Sequence, residues 1–411
     1  MRGRPSIACM SSVFSAANGT ARDRYAARHD EGGAPAVRLL DAYLTAAASA
    51  EASDLHFEPD REGLRVRMRI DGHLRDLEPP PAALVPSLLA RIRLLSRVDL
   101  AERRVPQDGR FSFESGRRRV DVRAAFLPVA RGEKIALRLL PHGNAARTLE
   151  ELGMEPAQRA SLDRALSRSN GLVIVAGPTG SGKSTTLYAA LSHLRRPSRS
   201  IVSVEDPVEL DVEGVSQVPV DEDVGRTFAV ALRALLRQDP DVLMIGEIRD
   251  ADSARIACRA ALTGHLVLSS VHASHAREAL LRMPEMGVPD YLVRATISLV
   301  IAQRLVRRLC SHCHSTAAVP SAHGRLFALA GLRAPAAVAA PVGCDRCDGV
   351  GFRGRLALFE VAACAELAPE PFAAGSLGAC GLSHVLAGET SLGETLAHCP
   401  QPGEEKGPSC A

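Results

Sequence analysis

The sequence predicts an α/β protein, with a mainly parallel sheet carrying helices on both faces and a smaller α+β domain ahead of it. Three observations predict this. Past residue 152, short apolar runs alternate with segments of helical apolar spacing. Before it, residues 63–70 alternate apolar residues with arginine at period two and end on Asp71-Gly72, a hairpin signal. At the first apolar run of the second part stands Gly177-Pro178-Thr179-Gly180-Ser181-Gly182-Lys183-Ser184, which fits the G-x-x-x-x-G-K-[ST] phosphate-binding loop with no departure.

Taken in order, residues 1–34 read as a disordered leader. Arg2 and Arg4 precede an apolar patch, Ile7 to Phe14, that two serines interrupt and that is short for a signal peptide. The first domain spans 36–140. Ala36 to Ser49 has the spacing of an amphipathic helix, and Ala52 to Pro59 is a turn entering a strand. In the next strand Leu64, Val66, Met68 and Ile70 share one face, with Arg65, Arg67 and Arg69 on the other. His73 to Leu77 returns, Leu84 to Leu95 is helical, and Val120–Ala125 and Lys134–Leu140 are strands. Residues 54–140 hold 18 Lys/Arg against 13 Asp/Glu, a modest excess suited to a solvated or subunit-facing surface.

Residues 141–152 are a linker. Strands then follow at Leu172–Ala176, Ile201–Val204, Val242–Ile245 and Leu266–Val271. Helices lie between them at Thr185–Leu194, Thr227–Arg237 and Asp252–Leu262. Such a sheet binds its ligand at the carboxyl ends of the strands, where the phosphate loop already sits.

Composition narrows the function. The 411 residues, 46% hydrophobic and 24% charged, have no apolar run of membrane-spanning length. A net charge of +3, 3% aromatics and no Trp argue against a base-stacking nucleic-acid groove. Arginine supplies nearly all positive charge: the only lysines are Lys134, Lys183 and Lys406. A lysine kept in the phosphate loop points to a need for a compact ammonium rather than a planar fork.

The chemistry of the loop is local. Its glycines let several N–H groups point at one centre, and the following helix, starting near Thr185, adds its positive end. Lys183 would bridge the β- and γ-phosphates and Ser184 would ligate Mg²⁺. Glu205-Asp206 and Glu247 end two buried strands of the same sheet, where a carboxylate can orient water or hold Mg²⁺ through its water shell. His265 and His272 bracket the strand Leu266–Val271. Seven residues apart on a straight strand, they point to opposite faces, and a structural histidine is the plain alternative for each. Cys310-x-x-Cys313 and Cys344-x-x-Cys347 have knuckle spacing, and four thiolates fit a closed tetrahedral zinc site that stabilises a small subdomain.

Together these residues resemble the type II secretion and type IV pilus assembly ATPases. The blocks are Ser53 to Pro59, Arg69-Ile70-Asp71-Gly72, Arg103 to Arg110, Glu205-Asp206-Pro207, Leu236 to Asp250, Leu262 to His265 with Val271-His272, Gln303-Arg304-Leu305, the cysteine pairs and Gly351 to Arg355. The resemblance implies a RecA-like ATPase core over 153–308, a PAS-like first domain, a tetracysteine zinc subdomain over 309–352, and a helical region and tail over 353–411. It implies a homo-hexamer in the cytoplasm, peripheral on the inner membrane, that binds ATP, Mg²⁺ and Zn²⁺. An inner-membrane platform protein and a membrane-bound recruiter would be its partners, with pilin or pseudopilin machinery driven indirectly and no direct nucleic acid.

By the same resemblance Glu205 would be the general base and Glu247 would orient water or magnesium. His265 and His272 would sense the γ-phosphate, and Arg67, Arg69, Arg75 and Arg104 are candidates to reach a neighbouring or shared nucleotide. The sequence departs from the family where Ala273-Ser274 stands for the usual Thr-Asn and Ala124-Ala125-Phe126 for a more polar stretch. Only about 35 residues precede the match, so the family's first N-terminal domain is expected to be absent. Alternatives are a non-hydrolysing nucleotide-bound scaffold, a DNA-uptake or conjugation-type motor, and a retraction ATPase, a branch that generally lacks the cysteine pairs.

Overall fold

The computed structural model describes residues 34–115, 118–141, 147–363 and 372–399. The expected leader up to residue 33, much of the linker and the end of the tail lie outside them. The chain divides into two compact units, Met1–Asn144 with Gly343–Val350 and Ala145–Val342 with Gly351–Ala411.

Among the described residues, the first unit is an antiparallel sheet of six strands with two α-helices. The strands are β1 (Asp54–Pro59), β2 (Leu64–Ile70), β3 (His73–Leu77), β4 (Gln107–Ser115), β5 (Arg118–Val129) and β6 (Gly132–Pro141), in the order β3-β2-β1-β6-β5-β4. The helices are α1 (Pro35–Ser49) and α2 (Val85–Ser96). Asp71 and Gly72 turn the β2–β3 hairpin at φ +49° and +88°, the left-handed pair that a tight hairpin requires. One sheet face is apolar. Leu55, Phe57, Val66, Met68, Val122, Phe126, Ile135 and Leu137 pack with Leu40, Tyr43 and Leu44 of α1 and Leu88 and Ile92 of α2. Tyr43 meets Phe57 edge-on, centroids 5.8 Å apart, and its hydroxyl donates to Glu78 O at 2.7 Å.

The opposite face is charged in register. Asp54 lies across from Arg69 and Glu58 from Arg65, unlike charges on neighbouring strands, with His56 across from Arg67 between them. Arg93 of α2 is the exception, buried at 1% exposure. Its guanidinium bonds to Glu133 and to the carbonyls of Asp99 and Glu102, and lies 5.3 Å from the Phe126 ring.

The second unit holds a seven-stranded sheet. Its strands are β7 (Gly171–Ala176), β8 (Ile201–Glu205), β9 (Ser216–Pro219), β10 (Val242–Ile245), β11 (Leu266–Val271), β12 (Ile297–Leu309) and β15 (Phe352–Ala362). The order is β15-β12-β7-β11-β10-β8-β9, parallel throughout except for β15. Strand β7 is buried on both sides, which explains its unbroken apolar run. Leu172, Ile174 and Ala176 enter one core, and Val173 and Val175 enter the other.

Helices α3 (Pro156–Leu166), α4 (Lys183–Leu194), α5 (Phe228–Leu235), α6 (Ala251–Leu262), α7 (Ala276–Glu285) and α8 (Asp290–Thr296) connect these strands. A two-stranded sheet, β13 (Ser315–Ala318) with β14 (Ala337–Ala340), and the short α9 (Gly324–Leu329) lie between β12 and β15. Helices α10 (Leu377–Leu386) and α11 (Leu392–His398) follow. Polar residues anchor this end: Thr390 donates to Arg307 O at 2.8 Å, and Glu394 pairs with the Arg307 side chain.

Candidate functional site

Strand register brings the site residues to one edge of the second unit's sheet. Val271 pairs with Ala176, so His272 emerges beside Gly177. Ile245 pairs with Val204, so Gly246 and Glu247 leave β10 where Glu205 ends β8. Ala302 pairs with Ala176 across the other side of β7, which delivers Gln303 to the same edge.

The phosphate loop takes the form its glycines permit. Gly180 and Gly182 sit at φ +79° and +92°, and Gly182 is the N-cap of α4. Gln303 excludes side chains at two loop positions. A Cβ on Gly177 would fall 2.7 Å from the Gln303 carbonyl oxygen, and one on Gly182 would fall 2.6 Å from Gln303 Nε2. The Gln303 amide oxygen accepts Thr186 Oγ1 at 2.7 Å in a buried bond. One side chain thus braces both the loop and the first turn of its helix.

Lys183 Nζ donates to the carbonyls of Gly177 and Pro178, at 2.8 and 3.2 Å. Its burial pushes its pKa down. Pro178, Thr179, Gly180 and Thr185 are exposed, and Ser184 is half-buried at the start of α4. Ser181 Oγ is buried with no hydrogen-bond partner among the described residues. A loop of left-handed glycines, an orphaned hydroxyl, an ammonium and a helix N-terminus suits an anionic phosphate chain, and Ser184 could reach its divalent cation.

Glu247 is the acid nearest this chemistry. Its Oε2 accepts Arg249 Nε at 2.6 Å, and its Oε1 lies 2.6 Å from His272 Nε2, at ion-pair distance though without hydrogen-bond geometry. Arg249 Nη1 also reaches Asp206 Oδ2 at 3.5 Å. Glu247 is also a charge that favours the Lys183 ammonium.

Two of the expected site residues are engaged by the protein itself in this structure. Glu205 does not present a free carboxylate. It is 3% exposed; its Oε2 accepts the Tyr188 hydroxyl, and its Oε1 accepts Ser203 Oγ at 2.5 Å and Gln217 Nε2 at 2.8 Å. Both carboxylate oxygens thus have protein partners in this structure. His265 is likewise held by the protein. It precedes β11, at the edge where Leu266 pairs with Gly171, roughly 20 Å of strand from the loop, and its Nδ1 meets Ala260 O at 3.0 Å. Of the two histidines, His272 is the one beside the phosphate loop.

The candidate arginines belong to the first unit, and each has a partner there. Arg67 pairs with Glu58 at 2.6 Å, and Arg69 Nη1 donates to Gly72 O at 2.8 Å. Arg75 meets Asp348 at 3.1 Å. Arg104, 88% exposed, pairs with Glu102 and holds that carboxyl down at about 2.

The four cysteine sulfurs of Cys310, Cys313, Cys344 and Cys347 lie within 4.8 Å of one another, and none of the four is in a disulfide. Cys344 and Cys347 Sγ are 3.8 Å apart. A tetrahedron with zinc–sulfur bonds of ~2.3 Å has an edge of about that length, so the donor set fits zinc.

Sequence reasoning named Gln303 only as part of the Gln303-Arg304-Leu305 block, with no role, and missed Tyr188 and Gln217 as site-building residues. Gln303 carries a different signal, a polar residue that interrupts the buried apolar run of β12. Nothing local marks Tyr188, which looks like one more apolar position of α4.

Known proteins resemble the chain as follows. The family model described as Type II/IV secretion system protein matches residues 29–375. Type II secretion system protein E of Aeromonas hydrophila is 44% identical over 378 residues, covering 88% of this chain and 75% of its own. Type IV pilus assembly ATPase PilB of Acinetobacter baylyi is 45% identical over 332 residues, covering 80% and 57%. Among solved structures, the Legionella pneumophila ATPase DotB superposes with a TM-score of 0.62 at 20% identity, covering 90% of this chain and 97% of its own. The pilus retraction motor PilT superposes with 0.58 at 23% identity, covering 87% and 96%. At these identities the structures speak for the fold alone.

Proposed function

Since the chain belongs to the Type II/IV secretion system protein family and is a secretion ATPase, we propose that it works as a homo-hexamer that hydrolyses ATP to drive assembly of a type II secretion pseudopilus or a type IV pilus. The observation that carries this reading is the meeting of Lys183, Ser184, Glu247 and His272 at one edge of the parallel sheet. No helix among the described residues is long and apolar enough to cross a membrane. The reading places the protein in the cytoplasm, peripheral on the inner membrane, against a platform protein and a membrane-bound recruiter.

In the proposed cycle the loop amides and Lys183 hold the β- and γ-phosphates, and Lys183 exchanges its carbonyl partners for them. Ser184 and Glu247 would hold Mg²⁺, which supplies positive charge against the phosphates when bound. Glu247 orients the attacking water, and His272, beside it, registers the γ-phosphate. Arg67, Arg69, Arg75 and Arg104 are proposed to serve a neighbouring or shared nucleotide in the hexamer; of the four, Arg104 is the most exposed. Zinc on the four cysteines would stabilise the segment 309–352 without taking part in hydrolysis.

The test is turnover of Mg·ATP by the purified protein, measured against subunit concentration with and without membranes carrying the platform protein. Hydrolysis rising with assembly is expected. ADP binding without turnover under every condition would instead favour a nucleotide-bound scaffold. Stimulation by single-stranded DNA alone would favour a nucleic-acid motor.

A further inference from the structure

We infer that Glu205 is a positioning residue that clamps the phosphate-loop helix to β8 and β9, leaving Asp206 as the acid of this pair that faces the nucleotide site. The inference rests on the ATPase reading and assigns roles within that same site.

Glu205 is the last residue of β8, inside the sheet's layer. A carboxylate has about four lone-pair sites. Three here are taken, by Tyr188, Ser203 and Gln217, and burial denies water to the fourth. Each partner leads elsewhere. Tyr188 lies on α4 five residues past Lys183. Its hydroxyl oxygen also accepts the Glu209 N–H at 3.1 Å and the Leu210 N–H at 3.4 Å. Gln217 of β9 donates a second time, to Leu210 O at 3.0 Å, while its own oxygen accepts Val212 N at 2.7 Å. One carboxylate therefore ties α4, residues 209–212 and two strands together.

The phenol is held as a donor. Burial, with the Glu205 carboxylate next in effect, raises its pKa well above the ordinary value. Without Glu205 the network would leave Tyr188 Oη and Ser203 Oγ buried without this acceptor and Gln217 Nε2 with Leu210 O alone, so α4 would lose its lateral anchor close to the loop.

Strand alternation explains the division of labour. Successive side chains at a strand end point to opposite sides. Glu205 turns inward, and the next residue, Asp206, turns outward with 45% of its side chain exposed. Asp206 Oδ2 then meets Arg249 Nη1, whose Nε holds Glu247. The sequence pair Glu205-Asp206 thus divides between scaffold and site mouth.

The test uses the full-length oligomer with Glu205→Gln, Tyr188→Phe, their double variant, and Glu247→Gln for comparison. For a clamp, each single variant raises KM for Mg·ATP and lowers kcat by no more than about tenfold, against on the order of 10²-fold or more for Glu247→Gln. The double variant is no worse than the more damaging single, because both break one network. The acid limb of the kcat–pH profile stays where it is in Glu205→Gln. A 100-fold loss of kcat at unchanged KM, with that acid limb gone and Tyr188→Phe near normal, would overturn the proposal in favour of a base, and additive singles would overturn the shared network. Should Glu205→Gln not fold, Tyr188→Phe still decides. It must weaken ADP affinity and speed amide exchange along residues 184–194, and no change in either overturns the clamp. A wild-type protein that binds ADP but never turns over ATP would sink the ATPase reading and leave the clamp measurable through ADP affinity.

Discussion

His272 Nε2 stands 2.6 Å from Glu247 Oε1, joining the carboxyl ends of β11 and β10 beside the phosphate loop. The contact links a group that can register a phosphate to a carboxylate that can orient water. Its partner in the sequence motif, His265, lies at the far end of the same strand on Ala260 O.

The two histidines are therefore predicted to separate in experiment. His272→Ala should lower kcat by on the order of 10²-fold, the usual cost of removing a preorganised polar contact at a reacting centre. His265→Ala should cost less than about tenfold at the same protein concentration. Steady-state ATPase rates of the two variants check this, and equal losses would count against the assignment.

Lys183→Ala should abolish hydrolysis, removing several kcal/mol of phosphate stabilisation at about the order typical of charge clamps. Gln303→Leu should behave differently. It leaves Thr186 Oγ1 buried without its acceptor, a cost of about 1–3 kcal/mol, and frees the loop it braces. A higher KM with a smaller fall in kcat is expected, read from Mg·ATP titrations. An unchanged KM would remove Gln303 from the site.

Replacing Cys310 or Cys344 with serine should release about one zinc per chain, since a tetrahedral site with three thiolates holds the metal less well. The segment 309–352 should then become protease-sensitive before the ATPase sheet does. Metal analysis and limited proteolysis check both parts, and unchanged metal content would exclude zinc from this cluster.

Glu360, buried on β15, gives a pH prediction. Burial raises its carboxyl from 4.5 to about 7, against the opposing pull of the Leu377 and Ala276 backbone N–H groups, Arg277 and Arg304. A folded-state value above the unfolded one means that the folded protein holds the proton more tightly between those pH values. Stability should fall as pH rises from about 4.5 to about 7, by up to about 3 kcal/mol from this group. Glu360→Gln should flatten that slope in Tm measured across pH. A slope identical to wild type would show that the burial cost lies elsewhere.

The sequence by itself determined the nucleotide site and the class of fold. Gly177 to Ser184 fixes a backbone shape by left-handed glycines and a lysine, and β7 announces burial on both faces by an unbroken apolar run; both are local properties. Period two in residues 64–70 likewise fixed which arginines face outward. The zinc-type spacing of the cysteines is local within each pair, but the meeting of the two pairs is not. Only the tertiary structure decided what the strand-end residues do. Glu205 and Glu247 look alike in sequence, each closing a buried strand. Glu205 turns toward Tyr188 and Gln217, which come from α4 and β9, while Glu247 turns toward Arg249 and His272. Which side chains meet a carboxylate is set by strand order and register across distant segments, and no periodicity of a single segment encodes that.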